Sequence, residues 1–241
     1  MSVDWWYSAI LELAKTAQTS VESSAIFDGS DTSMSGNGAY VAGQGDVVLG
    51  GNGLPEIDLP HGSGGGCKPV SLGLTDGTTV SNGDGLSYNP RCLKRDLTTA
   101  INQKYANATA VVNQILKPKD VYDFQMTMQG YPGSGNIGVH GGGHYTIKGD
   151  PGRDLFVSPG DDVFYLHYGM IDRTWWIWQT LDVRKRTGAQ GISGTGTFLD
   201  SPPSANTTLD TVIDLGYAAG PQVTMRDLMS TTSGPFCYIY L

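Results

Sequence analysis

The sequence predicts a mainly α-helical fold in one domain over residues 1–241: a small helical bundle wrapped in long Gly/Pro-rich loops, with a few short strands. Three observations predict it. The 34 glycines and 12 prolines are too many for a chain of regular elements alone and mark long loops. A hydrophobic content of 39% is enough to build a real core at this length. Several segments carry apolar residues at helical spacing, and one of them has a well-marked start.

In chain order, residues 5–17 place Trp6, Ile10, Leu13 and Ala14 on one helical face. Residues 28–88 are rich in Gly, Ser, Asp and Asn and read as loop with short strands. Three helices are expected over 97–105, 108–116 (ended by Pro118) and 120–129. A further helical pair spans about 140–186. Its second member is announced by Ser158-Pro159-Gly160-Asp161, with a hydroxyl cap, proline at the first helical position and a carboxylate at the third. It runs through Trp175, Trp176 and Trp178 to Arg184-Lys185-Arg186, where cations complement the carbonyl end, and Gly188 offers a stop. On this helix His167 shares a face with Val163, Met170 and Thr174, while Tyr168 lies with Phe164, Asp172 and Trp175. Residues 189–241 read as loop with short strands at 212–215 and 238–240.

The net charge of −8 and pI near 4.8 disfavour nucleic acid, whose phosphates attract basic patches. No apolar run approaches the ~18 residues that span a bilayer, and the N-terminus lacks a basic start followed by an apolar stretch. The chain as given therefore reads as soluble, without membrane or nucleic-acid partners. Asn107-Ala-Thr109 and Asn206-Thr-Thr208 are glycosylation sequons, which fits secretion or a vesicle if the native N-terminus is longer. Three cysteines leave one over: either a bridge forms in an oxidising compartment or all three are buried thiols.

The chemistry concentrates at His140-Gly141-Gly142-Gly143-His144. Imidazoles at i and i+4 face one side of a helix and can offer two nitrogens to one ion, and imidazole suits copper, zinc and iron. The glycines between them each cost a helix roughly 1 kcal/mol relative to alanine, so something is expected to approach that backbone closely.

Gly138-Val139-His140-Gly-Gly-Gly-His144, followed by Ser158-Pro159-Gly160-Asp161 and Phe164-Tyr-Leu-His167-Tyr168-Gly-Met-Ile-Asp172-Arg173-Thr-Trp-Trp, resembles the second copper half of fungal tyrosinases and catechol oxidases, which are type-3 copper proteins. Ala25-Ile-Phe-Asp28 with Gly36-Asn-Gly38, Gly64-Gly-Gly-Cys67, Asn89-Pro-Arg-Cys92-Leu93 and the final Tyr238-x-Tyr240 resemble the same family in order, so the similarity runs from about Ser23 to the end. It implies a tyrosinase-like helical bundle, a phenolic substrate of the kind handled in secondary metabolism, a Cys67–Cys92 disulfide and a free Cys237. It also implies that Asp172 orients a ligand imidazole and that Arg173 braces the helices.

The departures from the family pattern shape the functional expectation. The family holds two coppers with six histidines; this chain has four, His61, His140, His144 and His167. Tyr168 stands where the second of two adjacent histidines is the ligand, and His167 holds the non-ligating neighbour's place. Gln129 stands where many relatives have a Glu that handles a water. The first copper half is expected to be missing, as though Met1-Ser-Val-Asp4-Trp5-Trp6 began just after it. His61 is expected in a surface loop.

Three readings follow. In the first, His140, His144, Tyr168 and Gln129 are proton donors and acceptors in a pocket for phenols, catalysing tautomerisation, dehydration or cyclisation without oxidation. In the second, copper on a partial site at His140 and His144 oxidises phenols or catechols, with a partner chain supplying the missing ligands or Tyr168 completing a mononuclear site. In the third, the chain is a non-catalytic relic or binding protein. The apolar face left by the missing half makes a homo-oligomer or a partner chain the expected assembly.

Overall fold

The computed structural model describes residues 20–28, 32–34, 69–70, 91–92, 95, 97–149, 151–152, 154, 157–218 and 220–241. The expected helix over 5–17, most of the loop over 28–88, His61 and the Cys67–Cys92 bridge lie outside the described residues.

The described fold is helical. Helices α1 (Thr99–Tyr105), α2 (Ala108–Leu116), α3 (Val121–Gln129), α4 (Gly138–Ile147), α5 (Val163–Thr180) and α6 (Val183–Arg186) follow one another. Two antiparallel strand pairs accompany them: β1 (Pro69–Val70) with β2 (Arg91–Cys92), and β3 (Val212–Ile213) with β4 (Val223–Thr224). Caps explain two of the starts: Asn107 accepts from Ala110 N at 2.8 Å before α2, and Asp120 accepts from Asp123 N at 2.9 Å before α3.

The main core joins α2, α3, α4 and α5 through Val111, Phe124, Met128, Val139, Met170 and Trp178. Phe124 meets Trp175 edge-on at 5.1 Å and Trp178 at 4.8 Å. A second cluster, Val21, Phe27, Leu97, Ile147 and Val163, packs the first described segment against the ends of α4 and α5. Along α5, Val163, His167, Met170, Thr174 and Trp178 are buried, which is the face that helical periodicity assigns to His167.

Three local expectations differ from the structure. Ser158–Gly160 is a separate 3-10 turn, and α5 begins only at Val163. The Asp161 carboxylate is the reason: it accepts from Val163 N at 3.0 Å and is held bidentately by Arg95, at 2.9 and 2.7 Å, with both side chains 1% exposed. Arg95 also donates to Met34 O. The long helix does not run unbroken to Arg186 but ends at Thr180, and α6 folds back so that Arg186 lies 4.1 Å over the Trp178 ring. Residues 238–240 form no strand; their tyrosine hydroxyls, rather than a backbone ladder, hold them.

Candidate functional site

Two of the three glycines, Gly142 and Gly143, are explained by what crosses them. A Cβ at Gly142 would stand 2.9 Å from Tyr105 Cβ at the end of α1, and one at Gly143 would stand 2.2 Å from His167 Cε1. Gly138, at φ +60, would place a Cβ 2.1 Å from Met128 O, so α4 starts hard against the end of α3. Absent side chains thus let α1, α3 and α5 close on α4 and bring His167 up to His140 and His144.

The three imidazoles form one cluster. His140 and His144 meet edge to face at 4.9 Å, His167 lies parallel to His140 at 5.6 Å, and it meets His144 at 4.9 Å. One ring nitrogen from each can be chosen so that all three lie within 4.8 Å of one another. His167, expected on the buried face of its helix as a neighbour of the ligand pair, is 3% exposed and lies within the cluster, because Gly143 leaves room for its ring.

Tyr168 closes the cluster on its open side. Its hydroxyl is 2.9 Å from His140 Nε2 and 3.3 Å from His144 Nε2, and its ring stacks on Phe164 at 4.1 Å. The other nitrogen of His144, Nδ1, is 2.8 Å from Gly152 O. Burial, followed by the charge of His144, lowers His140 to about 4. Burial lowers His144, against the Gly152 hydrogen bond, and lowers His167 well below the usual imidazole range. Burial pushes the Tyr168 phenol up. At neutral pH the site holds neutral imidazoles and a neutral phenol.

Neutral imidazoles are metal ligands as well as bases. Three imidazoles at this spacing suit a single ion, and the His144 Nδ1 contact to a carbonyl is the support that ligating histidines commonly receive. The set does not suit a copper pair, because the chain has four histidines and a pair takes six. Behind the imidazoles a cavity of about 10 Å³, room for about one water, is lined by Gly143, His144, Gly152, Ser158 and His167. Tyr168, on the other side of the cluster, is 37% exposed.

The other candidate residues lie elsewhere. Asp172 accepts hydrogen bonds from Tyr238 Oη at 2.7 Å and from Tyr240 Oη, so the carboxylate expected to orient an imidazole instead anchors the C-terminal tail. Arg173 donates to Leu241 O at 2.8 Å. Gln129 is exposed at the end of α3, and among the described residues no hydrogen bond joins it to the histidines. Asn107 caps α2 while its Nδ2 donates to Gln103 O at 2.6 Å; Asn206 is exposed and bridges to Thr195. Cys237 is a free, exposed thiol. Sequence reasoning missed Gly152 O and the Arg95–Asp161 pair, and no local pattern marks either. The Phe164 stack had a signal, since Phe164 and Tyr168 are four apart on one helix face.

The chain is similar to known proteins in sequence and in fold. A family signature described as "Common central domain of tyrosinase" matches residues 5–181. Tyrosinase P of Aspergillus terreus is 36% identical over 232 residues, covering 90% of this chain and 63% of that protein. The oxidase hkm6 of Aspergillus hancockii is 30% identical over 252 residues, covering 98% of this chain and 82% of that protein. Among solved structures, the polyphenol oxidase (mutant G292N) of Thermothelomyces thermophila superposes with a TM-score of 0.78 at 40% identity, covering 92% of this chain and 63% of that one. The chain thus spans just under two thirds of the length of Tyrosinase P.

Proposed function

The chain belongs to the tyrosinase family, and we propose that it acts on a phenol-like or quinone-like small aromatic molecule by proton transfer among His140, His144 and Tyr168, catalysing tautomerisation, dehydration or cyclisation. One observation carries this reading: the Tyr168 hydroxyl sits on the Nε2 atoms of both His140 and His144. A phenol in that place makes the cluster a connected set of proton donors and acceptors. General acid–base groups so positioned contribute about 10²- to 10⁴-fold to a rate. Gln129 lies outside this set because of its exposed position.

A second reading is favoured by the three-imidazole cluster. His140 and His144, completed by His167 or by Tyr168, would hold one copper ion, which when bound supplies Lewis-acid and one-electron chemistry toward phenols or catechols. A coupled pair would draw its further histidines from outside these 241 residues, from a partner chain or a second copy.

Metal content of the purified protein, measured with oxygen uptake on catechol, separates the two readings. Stoichiometric copper with oxygen consumption rejects the non-oxidative reading. No copper, no uptake and turnover of a quinone-like substrate without oxygen reject the oxidase.

A further inference from the structure

Two Asn-x-Thr sequences stand in the chain, Asn107-Ala108-Thr109 and Asn206-Thr207-Thr208, and the fold treats them differently. At the first, both ends of the carboxamide are in use: Oδ1 accepts from Ala110 N at 2.8 Å, and Nδ2 donates to Gln103 O at 2.6 Å. Asn107 is half-buried at the junction of α1 and α2, and Ala108 and Thr109 are the first residues of α2. Residues two apart at a helix start do not face each other, so the Asn107 amide and the Thr109 hydroxyl are turned apart.

At the second, the backbone is extended. Asn206 bridges antiparallel to Thr195, with Gly196 N on Ala205 O at 3.2 Å and Thr207 N on Gly194 O at 2.9 Å. Side chains two apart on an extended chain face the same way, and Asn206 and Thr208 are both exposed while Thr207 between them is half-buried. Among the described residues the Asn206 carboxamide has no hydrogen-bond partner, so a group added to it breaks no contact.

We infer that Asn206 is the N-glycan acceptor of this chain and that Asn107 is kept as a helix cap. The donor is a lipid-linked oligosaccharide. A bond forms between Asn206 Nδ2 and the anomeric carbon of the first sugar, and the bond from that carbon to the lipid pyrophosphate breaks. The pyrophosphate leaves with the bonding pair, Nδ2 loses one proton, and nothing is oxidised or reduced. Transfer precedes folding, so the fold acts as a filter on what has been modified. A sugar on Asn206 displaces nothing. A sugar on Asn107 replaces an Nδ2 hydrogen and adds bulk to a nitrogen that lies 2.6 Å from Gln103 O, which loosens the cap of α2 and weakens the folded chain.

The full chain, carried into the secretory pathway of a yeast behind a cleavable leader, tests this by mass spectrometry of its glycopeptides. Asn206 should carry a sugar in most secreted molecules and Asn107 in few, and an endoglycosidase should lower the intact mass by one glycan. Asn206→Gln removes no contact and should abolish that shift, whereas Thr109→Ala, at an exposed position, should leave it unchanged. A glycan on Asn107 in most of the folded, secreted parent, or an unmodified Asn206, overturns the inference. If Asn206→Gln is not secreted, the parent and Thr109→Ala decide between them, since both must carry the sugar on Asn206.

Discussion

The imidazole of His167 rests on the backbone of Gly143, so close that a Cβ there would stand 2.2 Å from Cε1, 2.4 Å from Nδ1 and 2.9 Å from Nε2. That contact is the hinge pin of the site: it sets how near α5 can come to α4, and so whether Tyr168 reaches His140 and His144.

Gly143→Ala sets two effects of opposite sign against each other. Helix propensity favours alanine by about 1 kcal/mol. Forcing a methyl into a ring in a packed interior costs about 1–3 kcal/mol. Three atoms of a rigid ring would lie under 3.0 Å from the new methyl, so the steric cost wins and the urea midpoint should fall. A midpoint that rises would show that α5 moves freely away from α4.

Tyr168→Phe keeps the stack on Phe164 and removes only the hydroxyl. Circular dichroism should be unchanged, while turnover of a quinone-like substrate falls by about 10²-fold or more. Tyr168→His should raise copper affinity, read by metal titration. If it does not, position 168 is not where the family's third ligand sits.

Acid should destabilise the fold through its histidines. His140 titrates at about 4 when folded and near 6.5 when unfolded, so the unfolded chain takes up the proton first. The effect is absent above pH 6.5, and stability is lost as pH falls from 6.5 through about 4. His144 and His167, also lowered by burial, act in the same direction. Urea midpoints measured between pH 7 and pH 4.5 should decline, and His140→Phe should flatten the decline.

The tail is tied to α5 by the Asp172 carboxylate, which takes both tyrosine hydroxyls, by Tyr240 Oη on Gly169 O at 3.3 Å and by Arg173 on Leu241 O. Asp172→Ala leaves Tyr238 without its acceptor and Tyr240 with Gly169 O alone, and hydrogen bonds to a charged group are worth about 1.5–3 kcal/mol. Partial exposure of Tyr238 puts the loss at the lower end. Carboxypeptidase should trim the variant past Tyr238 faster than the parent. Phenol titration gives a second readout, since burial and Asp172 push Tyr238 up to about 12 and the variant should titrate lower.

Arg95→Met removes one half of a buried ion pair and strands the Asp161 carboxylate at the start of α5. Breaking such a pair costs about 3–5 kcal/mol. The double variant Arg95→Met with Asp161→Asn should recover part of the loss, because the uncompensated charge is gone. Thermal unfolding of the three variants tests this.

The sequence by itself determined the helical class, the bounds of α2 within a residue and those of α3 nearly as well. It also determined the buried face of α5, because periodicity, caps and proline stops are local signals. It showed that the triglycine must face a close neighbour, and that the residue at 168 departs from the tyrosinase pattern. Only the tertiary structure decided which neighbours those were. Arg95 draws Asp161 out of its capping role, Tyr238 and Tyr240 claim Asp172, Gly152 O meets His144 Nδ1, and Gln129 stays outside. Each of these depends on a contact between segments far apart in the chain or turned back by a loop. Such a contact is set by how helices pack, which no local spacing encodes.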